Sequence, residues 1–267
     1  MDFTLRKYKE LLLSLKNCGY TFITFAEYCK GVEFDRFIIM RHDVDEMSQN
    51  ALKMAQLEHS LDIRATYNFR IVRQSNNPEV IREIVRLGHE LGYHYEDLVL
   101  SEGNTERAID NFRVNLNYFR TYAPVETVCM HGSSSSAYDN RDLWKTYDLK
   151  QFGLLGEPYL TIDFSRIFYL TDTGYCWDGR KTAVRDVVKS TFDLSFHSTD
   201  EVISAINQNT FPNKAMILAH TLWTDSISKW IFIFFRELLR NKIKRISRNN
   251  AFVRRIYGTF VRIYWKK

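Results

Sequence analysis

The stretch Phe37 to Met47, FIIMRHDVDEM, runs four apolar, strand-forming residues into Arg41, His42, Asp43 and Asp45. Asp43 and Asp45 are two apart, so on an extended backbone they lean to one side while Val44 points to the other. Two carboxylates on one side repel unless a cation or a shared proton comes between them. A metal ligand beside a general base meets that requirement. The competing reading gives one Asp to a helix cap and the other to Arg41 or a backbone amide. By the same alternation His42 points away from both and is structural.

His94 lies five residues from His89, an odd offset that sends the two rings to opposite faces of a strand. His94 is therefore placed at the site and His89 in a structural hydrogen bond. A catalytic site of the zinc type wants about three N or O protein ligands and one open position. Asp45 and His94 supply two; for the third, His131 in CMHGS comes first, with Glu96 and Asp97 behind it. His220, in ILAHTLW, follows an apolar run and titrates in the range of a general acid. The segment DTGYCWDG, Asp172 to Gly179, sets an acid near Trp177, whose apolar face and single donor suit stacking on a sugar ring. A core aromatic near a turn is the other reading of Trp177. Glu96, if not a ligand, joins Asp172 and Trp177 on the substrate side. Ser133 to Ser136 lack a GxSxG setting, so no nucleophilic serine is read there.

These groups need elements to position them. Helical spacing is read at about 3–17, 23–30, 48–62, 77–88 (Asn77 as cap, Pro78 first, Gly88 last), 104–120 and 199–208. Strands are read at 36–40, ATYNFRI, HELGYHYE, ETVCMHGS, RIFYLTDTG and AMILAHT. Repeated β-α units imply parallel pairing, in a TIM-like barrel or an open doubly wound sheet. No GxGxxG or Walker sequence follows any strand, which favours the barrel. HDVD, HYED, MHGS, DTG and AHTLW all fall at or just beyond strand C-terminal ends, the face where a parallel barrel gathers its chemistry.

Composition sets the outer bounds. At 267 residues, 45% of them apolar, the chain can bury a large core, and no Pro/Gly/Ser-rich linker divides it. Four scattered cysteines without a CxxC pair, and an amphipathic rather than signal-like N-terminus, point to a reducing, cytoplasmic setting. From Asp225 onward there are 12 Lys/Arg against 2 Asp/Glu, a charge of +10, which leaves −5 on residues 1–224. Residues 1–224 read as the barrel and 225–267 as a basic amphipathic tail. An acidic body with a basic end and no readout motif does not describe a nucleic-acid-binding domain. The tail's longest apolar run is Trp230 to Phe235, too short to span a bilayer; its mix of Trp, Phe, Ile and Lys/Arg fits an interfacial helix on an anionic membrane. Packing of its apolar face on the barrel is the alternative.

From about residue 36 to 223 the chain resembles the NodB-type polysaccharide deacetylases, carbohydrate esterase family four. RHDVD looks like the family's first motif, GHELGYH like its second, DTGYCWDG like its fourth and Leu218-Ala219-His220 like its fifth. Two departures stand out: the second motif's later His is Leu98 here, and the third motif's Arg is replaced by MHGSSS. The resemblance implies a distorted (β/α)7 barrel, with the basic helical tail added to it. It also implies a divalent metal, zinc first, on Asp45 and His94, with Asp43 as base, His220 as acid, and the metal and a backbone amide holding the oxyanion. The implied reaction removes an acetyl group, N-acetyl before O-acetyl, from a sugar in surface-polysaccharide or glycolipid biosynthesis. A lipid-linked substrate would suit a chain seated peripherally, through residues 226–267, on the inner face of the membrane. The alternative is a degenerate barrel that binds a glycan or a partner enzyme there.

Overall fold

The computed structural model describes residues 1–132, 136–177 and 187–249. Among these residues seven parallel strands alternate with helices: α1 (Leu5–Asn17), β1 (Thr21–Ile23), α2 (Phe25–Cys29), β2 (Phe37–Val44), α3 (Ser48–His59), β3 (Thr66–Phe69), α4 (Pro78–Arg86) and β4 (Glu90–Tyr95). There follow α5 (Asp97–Leu100), α6 (Thr105–Phe119), β5 (Val128–Met130), α7 (Pro158–Thr161), β6 (Phe168–Thr171), α8 (Thr199–Asn207), β7 (Lys214–Leu218) and α9 (Ile227–Asn249). The sheet order is β5-β4-β3-β2-β7-β6, every pairing parallel, with β1 against the first half of β2. The sheet curls as an incomplete barrel. No ladder joins β5 to β6 among the described residues; the chain between them forms two short 3-10 turns and α7, and Thr127 makes an isolated bridge with Gly156.

β2 is buried along its whole length, as a central parallel strand with both faces covered must be. Its two faces differ. Ile38, Met40 and Val44 join the large core against the helices, whereas Phe37 and Ile39 join Ile23, Phe25, Ile162 and Met216 in a separate apolar plug inside the curl. One step above that plug, on the same side by alternation, come Arg41 and Asp43. Neighbouring strands repeat the pattern: Tyr67, Tyr93 and Val128 pack outward in the core, and Asn68, His94 and Cys129 alternate inward.

The helix signals act locally as expected. Asn77 accepts hydrogen bonds from the amides of Glu79 and Val80, with Pro78 opening α4, and Gly88 follows at φ +88°. The short helix expected near 23–30 is α2, which starts at a Thr24/Glu27 capping box, and the strand β1, absent from the sequence reading, precedes it. The tail is α9 as far as Asn249; residues 250–267 lie outside the described part.

Candidate metal and acid-base site

Strand register brings the first three candidates together. Asp43 and Asn68 are directly paired across β2 and β3, Asn68 with Gly92 across β3 and β4, and His94 with Cys129 across β4 and β5. Gly92 is needed there: a Cβ would lie 2.0 Å from Asn68 Oδ1. The space it leaves lets Asn68 Nδ2 donate to Asp43 Oδ1 at 3.0 Å.

Asp45 Oδ1 lies 3.1 Å from His131 Nδ1 and 3.5 Å from His94 Nε2, and the two ring nitrogens are 3.3 Å apart. Donors bound at about 2.0–2.1 Å around a tetrahedral ion sit roughly 3.3 Å from one another, so these edges have the length a zinc-like ion requires. Asp45 Oδ1 is buried with no hydrogen-bond partner of good geometry, an arrangement a cation would relieve. His94 Nδ1 meets the carbonyl of Cys129 at 3.0 Å, which places its proton there and turns the Nε2 lone pair toward Asp45 and His131. The residues present therefore fit a divalent ion. Asp43, His94 and Cys129 form a second, fully buried group within 4.8 Å. In that group both oxygens of Asp43 already accept from other residues, which leaves it the poorer cation site.

Asp43 is gripped by Arg41, Nε to Oδ1 at 3.0 Å and Nη2 to Oδ2 at 2.5 Å. The Arg41 guanidinium is fully buried and lies 5.1 Å from the Tyr159 ring centroid. Burial pushes the Asp43 carboxyl up, but Arg41 and His94 more than reverse this and hold it well below the usual carboxylate range. Asp45 is likewise held low against burial, by His131 and His94.

At the end of β7, His220 Nδ1 meets Asp172 Oδ1 at 2.7 Å, and the His220 amide donates to both Asp172 oxygens. Trp223 Nε1 donates to Asp172 Oδ2 at 2.8 Å. Burial disfavours the imidazolium, yet the bond and charge of Asp172, with the fields of Asp45 and Asp43, raise His220 to about 10. A ring raised this far holds both protons at neutral pH, Nδ1–H donating to Asp172 and Nε2–H free to be given away.

No known family pattern matches this sequence, and no curated protein matches it. Solved structures do. A CE4 family pseudoenzyme from Bacillus anthracis shares 13% identity at a TM-score of 0.44 over 77% of this chain. Its mutant with restored enzymatic activity gives 12% and 0.45 over 78%. This chain covers 63% and 65% of those chains' own length. A Streptococcus mutans CE4 esterase gives 16% and 0.43, covering 84% of this chain and 87% of that one.

Asp43, Asp45, His94, His131 and His220 thus share one end of the sheet. The residues assigned to substrate are placed differently. Asp172 is buried beneath His220, so it acts on the ring rather than on a ligand. Glu96 is buried against Arg70, which donates to both its oxygens, in an ion pair beside the site. Trp177 is 4% exposed, bonds Thr199 Oγ1 and packs on Phe3 and Trp223, a core role in place of sugar stacking. Asp178 and Gly179 of that segment, and Ser133 to Ser135, lie outside the described residues. Asp97 binds Tyr93 and Asn115 away from the site, and Leu98 packs in the core.

His42 and His89 are structural, as their alternation requires. His42 bridges the Ala219 carbonyl and Glu58, which also accepts from Tyr8 and Tyr67; His89 joins Ala65 to Ala55. Arg41 beside Asp43 is the pairing that the competing sequence reading named, whereas the roles of Asn68 and Arg70 were not read from the sequence. The usable signal was parity: each sits at an inward position of a strand, or just past its end, level with a candidate ligand.

Proposed function

We propose that this protein is a metal-dependent hydrolase that removes an acetyl group from a sugar, N-acetyl in preference to O-acetyl. The observation that carries the reading is the triangle of Asp45 Oδ1, His94 Nε2 and His131 Nδ1, with edges of 3.1 to 3.5 Å, in one site with the His220–Asp172 pair. Its metal arm departs from the family motif that the sequence resembles: Leu98 stands where the motif has its later His, and His131, just past β5, serves as the third ligand.

A divalent ion held by Asp45, His94 and His131, zinc by the donor set, would polarise the acetyl carbonyl and acidify water at the site. Asp43, ionised at every physiological pH, accepts the proton of the attacking water. Arg41 and Asn68 keep its carboxylate in place, in the role that the family's third motif gives to another Arg. His220 gives its Nε2 proton to the departing amine, and Asp172 stabilises the ring in its charged form. Without that proton the amine would leave as an anion, so His220 bears on C–N cleavage more than on attack.

Residues 226–267 are proposed to seat the chain on an anionic membrane surface at the cytoplasmic face, where an acetylated sugar carried on a lipid would reach it. The test is acetate release from acetylated sugars by the zinc-loaded protein. Stoichiometric metal with activity lost in both Asp45→Asn and His220→Gln supports the reading. Metal-loaded protein that releases no acetate from any acetylated sugar would instead support a glycan-binding barrel without catalysis.

A further inference from the structure

α9 is apolar on two sides, and the barrel uses one of them. Ile233 is fully buried, Trp230 and Phe234 stack at 5.1 Å against the main core, and Trp230 Nε1 donates to the Asp2 carbonyl at 2.7 Å. On the opposite side Ile231, Phe232, Phe235, Leu238 and Leu239 recur every three or four residues, with Ile246 two turns further on, 44% to 64% exposed. With Ile227, α9 holds seven of the fifteen large exposed hydrophobics among the described residues, so these side chains form a stripe rather than a scatter.

The charges beside that stripe have one sign. Lys229, Lys242 and Arg245 are exposed, whereas the helix's acid, Glu237, is buried against Arg236 and Arg240. The 18 residues after Asn249 add five Lys/Arg and no acid. A second copy on this face would set cation against cation, while a bilayer of anionic lipid offers both an apolar layer and opposite charge. Among the described residues no helix is long and apolar enough to cross a membrane, so the stripe would lie in the plane of the interface.

The buried side of α9 fixes where that plane falls. Arg236 and Arg240 hold Glu46, the neighbour of Asp45, at 2.5 and 3.2 Å, and Asn241 donates to the Gly174 carbonyl two residues past Asp172 at 2.8 Å. Both attachments are on loops at the C-terminal ends of strands, the end that carries the site. We infer that the outer stripe of α9 is a docking face for an anionic phospholipid bilayer, holding the site beside the lipid surface. The fitting substrate class is then an acetylated sugar borne on a lipid, a conclusion that rests on the hydrolase reading.

The test uses the full chain and vesicles of phosphatidylcholine with phosphatidylglycerol, against phosphatidylcholine alone. Wild type should co-sediment with the anionic vesicles and be released by raised salt. The variant Phe232→Gln/Phe235→Gln/Leu239→Gln should partition at least about tenfold more weakly while keeping its unfolding midpoint, because those side chains are outside the core. It should also lose any preference for acetylated glycolipid in vesicles over a soluble acetylated sugar, with the soluble rate unchanged. Wild type that stays unbound overturns the docking face, as does a variant that binds equally well. So does a lipid-free dimer that the variant dissolves. Vesicle binding without acetate release from either substrate overturns only the hydrolase reading.

Discussion

Replacing Asp172 by Asn keeps the shape of the side chain and removes its charge. In the wild type that charge meets the His220 ring at 2.7 Å and, with the weaker fields of Asp45 and Asp43, raises it from 6.5 to about 10. At 1.36 kcal/mol per pH unit, the charged ring is favoured by about 4–5 kcal/mol relative to a free histidine. In Asp172→Asn burial remains and its main counterweight is gone, so His220 should titrate near or below 6.5. At about pH 8 a ring with that pKa is roughly 3% protonated, and kcat/KM should fall at least about thirtyfold, with part of the loss recovered on the acid side. Stability should follow. Because the folded pKa lies above the unfolded one, the contribution is fully present below pH 6.5 and is lost as pH rises through about 10. Wild type should therefore lose stability across that window and Asp172→Asn should not. The assays are an NMR titration of the His220 ring in metal-free protein and urea unfolding at the two ends of the window. A wild-type ring titrating near 6.5, or one that moves by less than a unit in the variant, would refute the reasoning.

His131→Ala should weaken zinc binding by about a hundredfold or more while Glu96→Gln leaves it within about threefold, measured by calorimetric titration, because Glu96 is already bound by Arg70. Arg41→Met strands a buried carboxylate and should cost about 3–5 kcal/mol in urea unfolding. It should also raise the Asp43 pKa, so that stability near neutral pH, now secured by the depressed value, is forfeited. Leu98→His, which restores the residue expected by the resemblance, should destabilise by about 2–3 kcal/mol without tightening zinc, since Leu98 packs in the core.

The alternation of the strands was legible because a parallel sheet buried on both faces leaves period and end residues as strong local marks, and those marks located Asp43, Asp45, His94, His131 and His220. What stayed hidden depends on pairing between distant segments. Trp177 reads the same in a core or a pocket; its place is decided by Phe3, which lies 174 residues earlier. Asp172 looks like a substrate ligand until the register of β6 on β7 sets it under His220. The apolar residues of α9 form two faces, and which one packs is settled by ion pairs to Glu46 that no local pattern displays. β1 is too short for a periodic mark to appear.

The two unlike faces of β2 also bear on how the chain finds this fold. A slip of one residue would turn Arg41 and Asp43 into the helical core and bring His42 and Val44 into the site. An all-apolar strand would tolerate that error, since one aliphatic face serves nearly as well as the other. Here the slip would strand a guanidinium, a carboxylate and, behind the sheet, the Glu58 that His42 bonds, each without its partner. The groups that give the site its chemistry therefore also encode the alignment of the central strand, and misaligned forms are excluded by the cost of their unpaired charges.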